Sequence, residues 1–241
     1  MEHQMNLSAP IYRLKRRAKL LSREAGIPLH QALDRVAQEE GQTSWSLLAA
    51  KLVADSPAKK IYSQLRSGDM VLIGARPGQG KTLLSLEVAV EAMKAGHRAW
   101  FFSLEYTEKD CQARFDSIGV DLDGFQDRFV FDGSDLICAD HIVSRLSSAA
   151  AGTVAVIDYL QLLDQRRESP HLGEQVRVLK EFAVSTGVVF VFLSQIDRSF
   201  ELTEREIPSA EDIRLPNPID MSVFDKSYFL SDGSIKMDSY K

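Results

Sequence analysis

Residues 75–82 read Ala-Arg-Pro-Gly-Gln-Gly-Lys-Thr and stand between a short apolar run and a helix-forming stretch. Backbone amides can converge on a polyphosphate only where small residues allow close approach, and a helix that begins there directs its N-terminus at the charge. Gly78 and Gly80 supply this freedom. Lys81 is placed to reach the β- and γ-phosphates, and the Thr82 hydroxyl is placed to ligate Mg²⁺. The octapeptide therefore predicts a phosphate-binding loop for ATP and Mg²⁺, whereas a chance Gly-Lys-Thr at a turn would leave the flanking strand and helix unexplained.

One position of this loop departs from the generic pattern, which opens on a glycine. Ala75 takes that position and Gly74 precedes it, an arrangement that is tolerable if the φ angle of Ala75 is negative. The helix after the loop is predicted to run from Leu83 to Ala95. The residues predicted to contact the nucleotide are Ala75, Arg76, Pro77, Gly78, Gln79, Gly80, Lys81, Thr82 and Leu83.

From Met70 onward, short apolar runs alternate with helical stretches, which is typical of strand-helix units around a parallel sheet. The turn dipeptide Asp232-Gly233 separates two further short runs and predicts a closing hairpin. The predicted fold class is therefore α/β, with a central, mostly parallel sheet flanked by helices. The predicted strands are Met70 to Gly74, Arg98 to Ser103, Arg128 to Phe131, Val154 to Asp158 and Val188 to Ser194, and the hairpin joins Lys226 to Leu230 with Ser234 to Asp238.

Three polar residues end later strands, and an open α/β sheet binds its ligands at that edge. Asp158 is predicted to hold the hydration shell of Mg²⁺, with a helix cap after the strand as the alternative. Glu105 can polarise the attacking water as a general base, and the alternative is an exposed glutamate that opens a helix. Gln195 can bond the γ-phosphate and report its loss to the following loop, or it can be a buried structural amide.

Apolar residues also recur at helical spacing in three stretches of residues 1–56. They predict a small three-helix module, followed by the nucleotide-binding domain at residues 57–241. The predicted helices of the module span Ile11 to Ala25 and Leu29 to Glu40, and a third begins near Ser44 and buries Trp45.

Charge is distributed unevenly along the chain. Residues 1–66 carry 11 Lys and Arg against 6 Asp and Glu, a net +5, whereas residues 67–241 carry 18 against 28, a net −10. The basic module can contact nucleic acid, or it can be an ordinary solvated helix face. No apolar run approaches the roughly 20 residues that span a bilayer, and residues 1–8 are polar, so a cytoplasmic protein is predicted. Cys111 and Cys138 lack metal-ligand spacing and are predicted to be reduced thiols.

Six short phrases follow one another in a fixed order within about residues 65–214. They are Ser67-Gly68-Asp69, Ala75-Arg76-Pro77, Phe102-Ser103-Leu104-Glu105, Ile157-Asp158-Tyr159-Leu160-Gln161-Leu162, Leu193-Ser194-Gln195, and Pro208 followed by Asp212-Ile213-Arg214. Together they resemble the C-terminal ATPase domain of replicative helicases of the DnaB type, within the RecA-like P-loop superfamily. Six ordered phrases are much more specific than a phosphate loop alone.

The resemblance implies an ATP hydrolase that acts on DNA, a DnaB-like helicase or DNA-remodelling ATPase, with the roles given above for the phosphate loop and the strand-end residues. It implies single-stranded DNA as a partner, held through phosphate contacts by the loops that follow the Asp158 and Gln195 strands. It also implies a homo-oligomer, for which a ring is one form. Arg198 would link the Gln195 segment to the DNA-facing loop. The DNA-binding candidates are Arg166, Arg167, Arg198 and Arg205.

Two features depart from the family pattern. The chain is expected to be shortened at both ends, without the N-terminal helical collar and the linker that joins neighbouring subunits. In relatives that form rings, a late hairpin presents Lys and Arg to the neighbour's γ-phosphate, whereas here it offers only Lys226 and Lys236. A second hypothesis therefore stays open: a non-motor regulatory or adaptor ATPase that uses ATP as a switch for a protein partner bound by the N-terminal helices.

Overall fold

The computed structural model describes residues 8, 11–54, 56–125, 127–164, 170–215, 217 and 219–238. By its internal contacts the chain divides into two compact units, Met1–Lys60 and Ile61–Lys241. None of the helices in the described ranges combines the length and the apolar character that crossing a bilayer requires. Two of the DNA-binding candidates, Arg166 and Arg167, lie outside the described residues.

The first unit is helical, as its apolar periodicity predicts. Leu14 and Ala18 are buried against Ala32 and Val36, which form the centre of its small core. The Ser44 hydroxyl accepts a hydrogen bond of 3.3 Å from the Leu47 backbone N–H and so caps the third helix. The helices of this region are α1 (Ile11–Ala25), α2 (Leu29–Glu39) and α3 (Trp45–Ala54).

An additional helix, α4 (Pro57–Gln64), lies where the sequence analysis predicts none. Proline is well suited to the first helical position because its missing N–H would have no partner there and its φ is already helical. Ala58 and Ile61 are buried. In the sequence Pro57 follows the polar pair Asp55-Ser56, and these three residues predict a boundary between the two domains, not the start of a helix.

The second unit contains a seven-stranded sheet with helices between its strands, which confirms the α/β prediction. Every predicted strand is present, with ends that differ from the predictions by at most one residue. The strands are β1 (Met70–Ala75), β2 (Ala99–Ser103), β3 (Phe129–Asp132), β4 (Val154–Asp158), β5 (Val189–Gln195), β6 (Lys226–Ser231) and β7 (Ser234–Asp238), and the helices are α5 (Lys81–Lys94), α6 (Glu108–Ser117), α7 (Ala139–Arg145) and α8 (Leu172–Thr186).

The strand order in the sheet is β3-β2-β4-β5-β1-β6-β7. All neighbouring strands are parallel except the final pair, β6 and β7, which form the predicted hairpin. Asp232 and Gly233 both have positive φ angles, +46° and +80°, as a two-residue hairpin turn of this hand requires. Every parallel strand therefore ends at the same edge of the sheet, and the loop that leads into α5 begins there.

Alternating residues of the strands cover the two faces of the sheet. Met70 and Leu72 share a core with Ile142 of α7 and Leu179 of α8. Since successive side chains of a strand point to opposite faces, the intervening residues of β1 point to the other face. Helix α5 contacts β1, β2, β4 and β5. This packing holds the start of α5 beside the ends of the central strands.

Candidate active site

Strand register places the predicted site residues at one edge of the sheet. Ser103 of β2 pairs with Asp158 of β4. Ala75 of β1 pairs with Gln195 of β5. Because β4 and β5 are neighbours and both are parallel to β1, the acidic end of β4 and the amide end of β5 lie next to the start of the phosphate loop.

The loop between β1 and α5 has the backbone that its glycines allow. Gly78 and Gly80 have φ angles of +80° and +88°, which residues with a side chain rarely adopt. Helix α5 begins at Lys81, directly after Gly80. Ala75 ends β1 and is not among the residues with positive φ, as the sequence analysis requires. A Cβ atom at Gly74 would lie 2.9 Å from the Phe229 ring. The glycine that precedes the loop thus serves the packing of β1 against β6.

Thr82 and Asp158 meet behind this loop. The Thr82 hydroxyl donates a hydrogen bond of 3.1 Å to Oδ2 of Asp158, and both residues are buried. Within the described residues, Oδ1 of Asp158 is buried without a hydrogen-bond partner. A buried carboxylate oxygen with no donor is costly, and Mg²⁺ prefers oxygen ligands of this kind. The two side chains therefore fit the magnesium site that the sequence predicts.

The environment of Asp158 makes ionisation of its carboxyl less favourable than it is in water. Burial raises the pKa of its carboxyl from 3.8 to about 6, Lys81 and the Thr82 hydrogen bond lower it, and Glu105 raises it. Opposite charges near a carboxylate favour ionisation, and like charges oppose it. Lys81 therefore favours the ionised form of Asp158, and Glu105 opposes it.

Asp158→Asn is expected to stabilise the ATP-free protein at neutral pH. The pKa of Asp158 is about 6 in the folded protein, whereas its ordinary value is 3.8. The ionised carboxylate therefore lowers the free energy of unfolding by its full amount above pH 6. This penalty disappears as the pH falls toward 4. The substitution removes a penalty of roughly 3 kcal/mol at pH 7.5 and about half of that at pH 5. The buried amide group of the asparagine has a cost that does not depend on pH, so the unfolding free energy should rise by roughly 1.5 kcal/mol more at pH 7.5 than at pH 5. Denaturant unfolding at both pH values measures it, and an equal gain at both would contradict the shift.

Glu105 lies in the loop between β2 and α6, and its side chain is exposed. Its backbone N–H donates a hydrogen bond of 3.1 Å to the hydroxyl of the buried Ser103. Helix α6 begins three residues later, where Thr107 and Asp110 form a reciprocal capping box. Glu105 therefore does not open the helix, and its carboxylate is available at the edge of the site.

Gln195 lines a concave pocket of about 440 Å³ at the ends of β4 and β5. Gln161 donates a hydrogen bond of 3.3 Å to the Ser194 hydroxyl and another to the Arg214 carbonyl, and its own Oε1 is buried with no partner within the described residues. In the sequence Gln161 and Arg214 stand within longer family phrases, and neither is predicted to have a role of its own. The described residues that line this pocket are Tyr159, Gln161, Gln195, Arg214 and Leu215.

The segment after Gln195 is attached to the phosphate loop by Arg76. The Arg76 guanidinium donates to the Ile196 carbonyl at 2.8 Å and forms an ion pair with Glu201, with N···O distances of 2.7 and 2.8 Å. On its other side, the same segment carries backbone hydrogen bonds from Asp197 N–H to the Asp212 carbonyl and from Arg214 N–H to the Gln195 carbonyl. Loop, strand end and the 212–214 segment are thus joined in one hydrogen-bonded network.

The hairpin turn also contacts the phosphate loop. The Gln79 amide donates to Oδ1 of Asp232 at 3.3 Å and accepts from the Asp232 backbone N–H at 2.9 Å. These two residues stand 153 positions apart in the chain. The loop is therefore held from both sides, by the hairpin at Gln79 and by the post-β5 segment at Arg76.

The described DNA-binding candidates differ in their surroundings. Arg198 is exposed in a 3-10 turn, Arg198–Leu202, that follows β5. Arg205 is an ion-pair partner of Asp212 at 2.5 Å, and its guanidinium lies over the Phe200 ring at 5.6 Å from the centroid. Arg205 therefore supports the conformation of its own loop, whereas the exposed Arg198 joins none of the ion pairs found among the described residues.

Comparison with known proteins identifies relatives of this chain. Residues 59–211 match the protein family described as "ATPase: KaiC". The replicative DNA helicase DnaB of Helicobacter pylori is 26% identical over 183 residues, which cover 63% of this chain and 38% of the helicase. A probable plasmid replicative DNA helicase of Chlamydia psittaci is 26% identical over 182 residues, covering 62% of this chain and 40% of that protein. The chain thus spans about two fifths of the length of these relatives.

Solved structures show the same fold. A DnaB-like replicative helicase has a TM-score of 0.57 at 16% identity, covering 95% of this chain and 74% of that chain. A KaiC-like protein from Pyrococcus horikoshii has a TM-score of 0.51 at 17% identity, covering 73% of this chain and 86% of that chain. At these identities the likeness shows a RecA-like fold and no more.

Proposed function

The chain belongs to the KaiC family of RecA-like ATPases, related to the DnaB helicases, and on this premise we propose that it is a DnaB-like, Mg²⁺-dependent ATP hydrolase that acts on DNA. One observation carries the proposal: the buried Thr82–Asp158 pair directly behind the phosphate loop, with a carboxylate oxygen that has no protein partner within the described residues. This arrangement suits a cation and a triphosphate. Without them, the buried carboxylate oxygen would only destabilise the fold.

The proposed roles follow from the positions of the side chains. Lys81 binds the β- and γ-phosphates, and Thr82 and Asp158 hold Mg²⁺, which when bound neutralises charge on the phosphate oxygens. Glu105 accepts a proton from the attacking water at the exposed edge of the site. Gln195 bonds the γ-phosphate. Lys81 and Thr82 come from the start of α5, Asp158 and Gln195 end β4 and β5, and Glu105 follows β2. The register of the sheet brings the ends of these strands to one edge.

A response to hydrolysis could travel from Gln195 to the surface. The Gln195 carbonyl accepts a hydrogen bond from Arg214 N–H, and Arg76 donates to the carbonyl of Ile196, the residue that follows the strand. A change in the contact between Gln195 and the γ-phosphate would therefore displace the segments around residues 196–201 and 212–214 together. In a DNA-acting ATPase these segments, with Arg198, would face the DNA backbone.

Single-stranded DNA is expected to stimulate ATP hydrolysis at moderate salt, and Arg166→Ala/Arg167→Ala is expected to remove the stimulation. Arginines bind nucleic acid chiefly through phosphate charge, so the loss should be sequence-independent and smaller at high salt. Steady-state phosphate release with and without oligo-dT measures it. A charge-matched control is Lys109→Ala/Arg177→Ala, which removes two exposed cations elsewhere on the ATPase unit. Equal loss in both variants would contradict a specific DNA-facing loop.

A second candidate is a non-motor ATPase switch that acts on a protein partner through the N-terminal helices. The sequence carries no arginine between residues 226 and 241. The two lysines of the hairpin are already paired, Lys226 with Asp69 and Lys236 with Asp238. A hairpin whose described cations are both paired suits slow hydrolysis that a partner completes. Hydrolysis that ignores DNA but rises with a protein partner would favour this candidate, and light scattering with and without ATP would show whether a homo-oligomer or ring forms.

A further inference from the structure

Helix α1 presents four cations to solvent on one side. Lys15, Lys19 and Arg23 stand four residues apart and so lie in one row along the helix, with Arg16 beside them. All four side chains are exposed, whereas Leu14 on the opposite side is buried. At a rise of 1.5 Å per residue, the row from the first lysine to the last arginine is about 12 Å long. These four residues are called the basic stripe below.

The basic stripe is not neutralised within the described part of the chain. Arg17, the adjacent residue, forms an ion pair with Glu39, so a basic residue of α1 does pair where its position allows it. No ion pair joins any of the four stripe residues to a described acidic side chain. Like charges four residues apart weaken a helix. The arrangement therefore has a small cost for the helix, which a bound anion would relieve.

We propose that the basic stripe binds the sugar-phosphate backbone of nucleic acid. A strand carries one phosphate per about 3.4 Å of helix axis, so a row of about 12 Å faces three or four phosphates. The backbone of nucleic acid keeps negative charge in a continuous line over this whole length, so a linear polyanion matches the row. Lysine and arginine contacts to phosphates carry no sequence information, so binding should be independent of sequence. The stripe lies outside the ATPase unit, and its function does not require ATP hydrolysis.

Fluorescence anisotropy with full-length protein tests this proposal, using oligo-dT and a duplex of about 30 base pairs over a range of salt. The variant Lys15→Gln/Arg16→Gln/Lys19→Gln/Arg23→Gln keeps good helix formers at exposed positions. It should bind both probes at least ten-fold more weakly at low salt. The slope of log binding constant against log salt concentration should become shallower. If all four residues contact phosphates, the change should be about 3 for the single strand and nearly 4 for the duplex. Basal ATP hydrolysis should be unchanged.

The matched control removes four exposed cations outside α1 through Arg35→Gln/Lys59→Gln/Lys109→Gln/Arg177→Gln. Retained binding by the control and lost binding by the stripe variant support the proposal. Equal losses, or an unchanged salt slope in the stripe variant, overturn it because net charge alone would then explain the data. Poly-L-glutamate that competes as well as DNA at matched charge would also overturn it, in favour of an acidic polypeptide. Lys81→Ala protein that hydrolyses no ATP but binds DNA normally would separate this site from the ATPase.

Discussion

Lys81→Ala is expected to reduce ATP hydrolysis by at least about 100-fold and to weaken nucleotide binding by ten-fold or more. The lysine begins α5 directly after Gly80. In the proposed function its ammonium group and the helix N-terminus would act on the same phosphates. Removing one preorganised donor of this kind costs about 10² to 10³ in rate. Titration with a fluorescent ATP analogue and single-turnover phosphate release would measure the two effects separately.

The same substitution acts on Asp158. Because Lys81 lowers the pKa of Asp158, its removal should raise that pKa further and favour the protonated acid. Mg²⁺ affinity should then fall at pH 6 to 7 more than at pH 8. Lys94→Ala is a matched control, since Lys94 lies at the far end of the same helix and pairs with Glu91 at the surface. Normal hydrolysis by Lys81→Ala protein would rule out the proposed phosphate site.

The sequence predicted the parts of this site whose signals are local. Gly78 and Gly80 mark a backbone with positive φ, and a strand that runs apolar into Asp158 marks a polar edge. Both signals depend on neighbours within a few residues, so they can be read without the fold. The turn at Asp232-Gly233 is local in the same sense, and the structure places it as predicted.

The contacts that hold the loop in place could not be predicted in this way. Arg76 pairs with Glu201, 125 residues away, and nothing near either residue indicates the other. Gln161 looked like one polar residue in an apolar phrase, yet its amide joins the end of β5 to the Arg214 carbonyl. Such pairs exist only after the sheet has brought distant strand ends to one edge, so a single sequence contains no signal for them.

Glu105→Gln is expected to slow ATP turnover by about 10² to 10⁴ while ATP still binds. A positioned general base contributes a factor of this size, and an amide cannot accept the proton of the attacking water. Binding should survive because the side chain is exposed and lies outside the phosphate loop. Burst and steady-state phosphate release, together with an equilibrium titration of nucleotide, measure turnover and binding in the same preparation.

The charge of Glu105 sharpens this test. Because Glu105 raises the pKa of Asp158, replacing it with a neutral amide should lower that pKa, and Mg²⁺ affinity near pH 6 should therefore rise or stay constant. Slow turnover with unimpaired Mg²⁺ and ATP binding thus identifies a lost base and excludes a damaged site. Glu108→Gln, which neutralises an exposed acid at the start of α6, serves as the control and should hydrolyse ATP normally. If Glu105→Gln also hydrolyses at the native rate, another group accepts the proton, and the assignment of Glu105 is wrong.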